Sequence, residues 1–293
     1  MAKRIAFLSA EGLSRLSSPR KDSIIQYDPE LDMLQPAFAA EGLELFEAEW
    51  RSWDRQGADA VLVLAAWDYQ DDAEGFLAML RELEGRGVKV FNPPDLIAWN
   101  IRKTYLRELA DRGVPVVPTL WPESPAASDV AAAFDMFGAG EVVLKRQVGA
   151  GAKGQMRIRR GEALPAGPLL DRPGMIQPFL PSIVEEGEFS FLFVEGVLSH
   201  VVLKRAAAGD YRIQPRYGGV SAAVKPAAAD MEAALAVFGK LPEAPLYARV
   251  DMARGAGGDL VLMELELIEP FLFPVDGPQI GGMLARAVKR RLG

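Results

Sequence analysis

The chain has 293 residues, 49% apolar and 25% charged, with a formal net charge of -7 and a pI near 5.0. That is enough apolar material for two or three compact domains, and the acidic balance speaks against a nucleic-acid partner, whose phosphates call for a basic face. With no cysteine and a single histidine, disulfides, thiolate zinc sites, cysteine nucleophiles and most Ser-His-Asp chemistry are excluded.

The N-terminal run Ile5-Ala6-Phe7-Leu8 is too short for the apolar region of a signal peptide, and no long apolar run suggests a membrane span. A cytoplasmic protein with no membrane partner is expected. Up to Asn92 the pattern alternates strand and helix. Arg4 to Ser9, Ala60 to Ala65 and Val88 to Phe91 are short apolar runs; Leu31 to Gly42 and Asp72 to Glu84 carry apolar residues at helical spacing. This predicts an α/β layer on a parallel sheet. Asn92-Pro93-Pro94 marks a break, and one charged amphipathic helix is predicted from Pro94 to Arg112, ending at Gly113. A strand-like Val114 to Thr119 and a Pro/Ser-rich loop from Trp121 to Ser128 follow. From Glu141 strands dominate: Gly174 to Phe179, Phe189 to Phe193, Leu198 to Arg205, Leu246 to Met252 and Leu260 to Ile268, with a helix over Ala227 to Gly239.

The most informative stretch is the predicted hairpin over residues 141 to 160. Its turn, Gly149-Ala150-Gly151-Ala152-Lys153-Gly154, satisfies the G-x-G-x-x-G pattern of dinucleotide-binding folds, in which a helix follows. Here Gln155-Met156-Arg157-Ile158-Arg159 alternates polar and apolar, the period of a strand. The turn reads better as a flap whose backbone approaches phosphates, with Lys145 and Lys153 adding charge; an ordinary exposed hairpin is the competing reading.

Near the C-terminus, Met263-Glu264-Leu265-Glu266-Leu267 puts two carboxylates on one face of a strand. The preceding strand carries Arg249-Val250-Asp251 and can bring a third carboxylate beside them. Such a cluster calls for a cation, and magnesium, which takes carboxylate and phosphate oxygens together, suits it; a solvated face of alternating charges is the alternative. Lys204, Arg205 and Arg212 are cations suited to a phosphoryl group.

Together these residues resemble the ATP-grasp superfamily, which includes glutathione synthetase and the ribosomal-protein glutamate ligases, over nearly the whole chain. Asn92-Pro93, Asn100, Lys103, Tyr105, Gly113-Val114-Pro115 and Pro118-Thr119 are similar to the lead-in to that family's central domain. The resemblance implies an α/β (α+β) ATP-grasp fold: a parallel α/β pre-grasp domain (1–94), a central subdomain with the flap (95–177) and a C-terminal subdomain with the metal site (178–293), the last two sandwiching ATP. It implies that Lys103 and Lys145 contact nucleotide phosphates, that Gly149, Gly151 and Gly154 form the mobile loop, that Gln177, Phe179 and Leu180 form the hinge whose backbone reads adenine, and that Glu188 binds ribose. Asp251, Glu264 and Glu266 match the metal ligands, although many members carry asparagine where Glu266 stands, which changes the charge at the metal. Trp67-Asp68-Tyr69, Lys204-Arg205, Asp210, Arg212 and Glu269-Pro270 are most similar to a bacterial subgroup that includes the cyclo-ligase of cycloserine biosynthesis, with Ala65-Ala66 replacing a polar or basic lead-in.

The expected activity is an ATP- and magnesium-dependent carboxylate-amine or cyclising ligase acting through an acyl phosphate on small-molecule carboxylate and amine substrates. Arg205, Arg212 and Arg249 are expected to hold the phosphoryl group or the acceptor carboxylate. A homodimer is left open. The competing functions are a non-catalytic ATP-binding grasp protein acting through a partner, and a dehydrogenase using the G-x-G-x-x-G turn.

Overall fold

A computed structural model of the chain describes residues 2–21, 24–164 and 172–293. The first segment builds β1 (Lys3–Ser9), α1 (Ile24–Ala40), β2 (Leu43–Glu49), β3 (Ala60–Ala65), α2 (Ala73–Gly85) and β4 (Lys89–Phe91). A 3₁₀ turn, Tyr69–Asp71, follows β3. The strands form one parallel sheet in the order β2-β1-β3-β4, as the alternating strand and helix pattern predicts. β2 escapes the sequence reading because Leu43-Glu44-Leu45-Phe46-Glu47 carries two glutamates, the exposed Glu44 and the half-buried Glu47, which break the apolar run that marks its neighbours.

The single helix predicted over 94–112 is two: α3 (Pro94–Ile101) and α4 (Tyr105–Asp111). Arg102 between them is extended, at φ -98° and ψ 122°. The break has a physical cause in tertiary bonding, since the Lys103 amide leaves the helical ladder to donate to the Gln147 carbonyl at 2.8 Å. Residues 114–119 are likewise not a strand; Val116 makes one isolated bridge to Leu262, and the next residue after the segment, Leu120, makes another to Ile176.

The middle of the chain holds α5 (Ala127–Phe137), β5 (Glu141–Arg146), β6 (Met156–Arg159) and β7 (Gly174–Pro178), an antiparallel sheet in the order β6-β5-β7. Then come α6 (Ser182–Glu185), β8 (Glu188–Val194), β9 (Val197–Arg205), β10 (Val220–Ala223), α7 (Ala228–Phe238), β11 (Tyr247–Arg254), β12 (Leu260–Glu266) and α8 (Gln279–Leu292). Their strands form an antiparallel sheet ordered β10-β9-β8-β11-β12. No helix is long and apolar enough to cross a membrane among the described residues.

Alternation divides the five-stranded sheet sharply. Phe189, Phe191, Phe193, Val201, Leu203, Val250, Met252 and Leu265 face a core shared with Ala234 and Val237 of α7. Burying each of the large side chains contributes about 1.5–3 kcal/mol. The opposite face carries Lys204, Ser190, Asp251, Arg249, Glu264 and Glu266, placed by the pairings Ser190 with Asp251, Asp251 with Glu264 and Arg249 with Glu266. A bulge at Met263, opposite the step from Asp251 to Met252, lets Leu262 and Leu265 share one core although they are three residues apart.

The first core crosses between segments, joining Phe7, Tyr27 and Leu31 to Leu192 and to Leu284 and Val288 of α8. α8 lies close on α1: a Cβ added at Gly281 would meet the Met33 side chain at 3.1 Å. Buried in the same region is Glu30, whose Oε1 accepts from the Leu272 amide at 2.9 Å while Oε2 has no partner among the described residues. Burial pushes its pKa well above 4.5, opposed by the Leu272 amide and by Arg249. The unfolded chain therefore ionises Glu30 at lower pH than the folded one, and folding takes up a proton in between. The stability this gives is complete below the unfolded pKa and falls as pH rises toward the folded one, by up to about 1.4 kcal/mol per pH unit. Glu30→Gln keeps an acceptor for Leu272 and removes the titration. Its melting temperature should gain on wild type as pH rises from about 5 to about 8; a gap that stays constant with pH would show that Glu30 does not titrate there.

Candidate active site

The polar face of the five-stranded sheet looks toward the flap between β5 and β6. On it, Asp251 is 2% exposed, and both of its oxygens are engaged. Ser190 Oγ and Arg249 Nε donate to Oδ1, and Arg249 Nη2 reaches Oδ2 at 2.9 Å with Lys204 Nζ at 3.3 Å. Burial alone would raise its carboxyl, but Arg249 and Lys204 outweigh it and hold the group below the usual carboxylate range. Glu266 pairs with Arg249 Nη2. Burial pushes the Glu266 carboxyl up to about 8; Arg249 opposes, while Asp251 and Glu264 reinforce the shift. Glu264 Oε1 lies 2.9 Å from Lys103 Nζ, and a third of its side chain is open, against 3% for Asp251.

The two lysines expected at the nucleotide phosphates converge here. Lys103 sits in the gap between α3 and α4, and its Nζ also donates to the Gly149 carbonyl of the flap. Burial would lower its pKa, yet Glu264 more than compensates. Lys145 on β5 forms no ion pair with any described residue. Burial lowers its pKa, with Glu264 and Glu188 opposing and Lys103 adding to the fall. It is a half-buried amine placed where an anion could pair with it.

Glu188 is brought into the same cluster, 2.5 Å from Lys204. Burial raises its pKa against the pull of Lys204. Gln177 is buried on β7, and its Nε2 donates to Thr119 Oγ1 at 3.0 Å, tying β7 to the segment after α4. The Phe179 amide donates to the Glu141 carbonyl, and Arg157 lies 3.6 Å over its ring with Tyr211 against the edge. Leu180 lies beside Ile183 in a small apolar cluster. In the flap, Gly151 and Gly154 take φ of 61° and 77°, the left-handed region open to glycine. Gly149 needs no such freedom.

Of the three expected catalytic arginines, only Arg249 stands in the cluster. Arg205 is exposed, on the face opposite Lys204, and donates to the Glu186 carbonyl. Arg212 is bound to Asp210, with Nη2 at 2.7 Å from Oδ2, and covers the Tyr217 ring. Lys204 and Glu269, which the sequence singles out only as parts of longer motifs, also stand in the cluster. Strand alternation sets Lys204 and Arg205 on opposite faces, and the pairing of β9 with β8 puts Lys204 beside Glu188. Glu269 is 7% exposed just past β12; burial raises its pKa well above 4.5, with Glu266 adding and Lys103 opposing.

The edge of the carboxylate strand is fully occupied by residues 92–117. Asn92 Nδ2 donates to the Leu267 and Tyr247 carbonyls at 2.7 and 3.0 Å, and its Oδ1 accepts from the Leu246 amide. Asn100 bonds the Leu265 carbonyl and the Leu267 amide, and Tyr105 OH accepts from the Leu265 amide. The Leu262 amide goes to the Pro115 carbonyl. This covers an edge that would otherwise be open and fixes the backbone on both sides of Glu266.

Among the described residues no three acidic or histidine side chains stand in metal-binding arrangement, because each carboxylate is turned to a cation. The chemistry of the donor set nevertheless fits a hard divalent cation. In ionised form, Glu188, Asp251, Glu264, Glu266 and Glu269 exceed Lys103, Lys145, Lys204 and Arg249 by one negative charge.

Comparison with known proteins agrees with this architecture. Residues 5–92 match the family described as D-cycloserine synthetase DcsG, N-terminal domain. The cycloserine biosynthesis protein DcsG of Streptomyces lavendulae is 30% identical over 281 residues, covering 86% of this chain and 91% of that protein. The crystal structure of D-cycloserine synthetase DcsG matches with a TM-score of 0.84 at 25% identity, over 99% of this chain and all of that one. The ATP-grasp ligase PsnB, solved with a phosphomimetic variant of its minimal precursor, Mg and ADP, gives 0.66 at 17% identity over 99% and 98%. D-alanine–D-alanine ligase from Bacillus anthracis, complexed with ATP, gives 0.69 at 15% identity over 99% and 97%. The chain is an ATP-dependent ligase of the ATP-grasp type and belongs to the family of the D-cycloserine synthetase DcsG.

Proposed function

We propose that this ligase uses magnesium and ATP to convert a small carboxylate into an acyl phosphate, which an amine-type nucleophile then attacks to form an amide-type bond. ADP and phosphate leave. The observation that carries this reading is the juxtaposition of Lys145 and Lys103, under the flap, with the carboxylates of β11 and β12. Lys145 and Lys103 would neutralise phosphate oxygens, and Arg249 would steady the charge that grows on the transferring group. The flap would keep water from the acyl phosphate.

Asp251, Glu264 and Glu266 would hold magnesium, with Lys103 and Arg249 giving up their present partners. Bound there, the metal supplies charge neutralisation at the phosphates. A metal beside Glu266 would also draw off the proton that burial favours. The names of the DcsG relatives, tied to cycloserine synthesis, favour a cyclising reaction in which carboxylate and nucleophile belong to one amino-acid-derived molecule.

Magnesium with ATP at about 100-fold over its dissociation constant should stabilise the wild type by about 2.7 kcal/mol, a rise of several degrees in melting temperature. Lys145→Ala should lose most of that rise. No shift in wild type, or an undiminished shift in the variant, would remove the nucleotide assignment. Screening ADP release against pooled amino acids and small carboxylates separates a ligase from a binding protein that turns nothing over.

A further inference from the structure

The flap is held from outside its own sheet. The Ala150 amide donates to Gln70 Oε1 at 2.5 Å, and Lys153 Nζ stands 3.5 Å from Asp71 Oδ1. Both partners belong to the 3₁₀ turn of the first segment. The ion pair joins two half-exposed side chains and contributes little. The hydrogen bond is different, because both ends of the Gln70 amide are engaged. Its Nε2 donates to the Trp67 carbonyl at 3.1 Å, and only one orientation of the amide satisfies a donor at one end and an acceptor at the other.

The turn is itself anchored. Trp67 Nε1 donates to the Glu269 carbonyl at 3.2 Å, just past the carboxylate strand. Asp68 accepts from Trp50 Nε1 at 2.6 Å and from the Glu11 amide at 3.3 Å. A continuous set of bonds thus runs from flap to turn to the end of β12.

We propose that Gln70 is a positioning residue that latches the flap shut against the first domain, so that the phosphate cover closes only when the Trp67–Gln70 segment is seated on the carboxylate strand. This rests on the reading of the flap as the cover of an ATP site. The Ala150 N–H, pointing to Gln70, is withheld from the phosphates; its part is to fix the loop. An unlatched flap would admit water to the acyl phosphate and spend ATP without product.

The test is hydrogen exchange of the flap amides in the full chain without nucleotide, comparing wild type, Gln70→Leu and Gln70→Glu. Leucine removes the acceptor. Glutamate keeps an acceptor for Ala150, loses the donor to Trp67 and adds a negative charge. Exchange at Ala150 should rise about tenfold in Q70L, the worth of one hydrogen bond, with β5 and β6 unchanged and Q70E near wild type. Equal exchange at Ala150 in Q70L and wild type would overturn the proposal. So would faster exchange that extends through the β1–β4 sheet, since that is unfolding, or a Q70E as open as Q70L. Adding magnesium with a non-hydrolysable ATP analogue tests the other reading separately. If it protects the flap in neither protein while Q70L still opens it, the nucleotide site falls and the latch stands.

Discussion

Replacing Asn92 by leucine is expected to cost about 3–5 kcal/mol of stability and to lower the melting temperature by roughly 10 °C, although leucine fills a similar volume. Asn92 is wholly buried, and its amide satisfies the Leu246 amide and the carbonyls of Tyr247 and Leu267. Leucine can serve none of them. Three backbone groups would lose their partner where water does not reach, and each such loss costs about 1–3 kcal/mol. Two of them flank β11 at its start and the third follows Glu266, so the variant should also loosen the carboxylate strand. Thermal unfolding measures the first effect, and hydrogen exchange at β12 the second. A melting temperature within a degree or two of wild type would show that the amide is not what joins β4 to the C-terminal sheet.

The same residue shows how sequence and structure divide the information. Asn92 and Asn100 were noticeable as parts of a lead-in, but nothing in their spacing says that they close the edge of a strand some 165 to 175 residues further on. Period-two alternation in β8, β11 and β12 was legible, and it predicts a polar face opposite an apolar one correctly. What alternation does not carry is register, which places Lys204, not Arg205, beside Glu188 and Asp251. Nor does helical period reveal that the chain breaks at Arg102 to present Lys103, since local propensity there is overruled by bonds to the flap strand's end. α8 was missed because its last turn is strongly basic, which masks the apolar residues that seat on α1.

Register also separates three carboxylates that look equivalent in sequence. Asp251 is saturated by two cations and a hydroxyl, and Glu266 shares Arg249 with it. Removing Arg249 would therefore leave Glu266 without its ion pair and Asp251 with only Lys204 and Ser190. Glu264, facing outward and paired only with Lys103, is the one that can turn to a metal with least rearrangement.

Glu264→Gln should accordingly lower turnover by about a thousandfold at the magnesium concentration that saturates wild type, since a metal supplies several kcal/mol of charge stabilisation. The fold should be unaffected, because glutamine preserves volume, the side chain is partly open, and its Oε1 can still accept from Lys103. ATP should still bind, held by Lys145, though more weakly. The measurement is ADP release over a magnesium titration, with a small carboxylate that supports turnover in wild type, beside the melting temperature of each protein. A ligand role predicts that the variant needs more magnesium for half-maximal rate and never regains the wild-type plateau. Full activity at the wild-type magnesium requirement would transfer the metal to other carboxylates of the face; lost activity at an unchanged requirement would assign Glu264 to holding Lys103 alone.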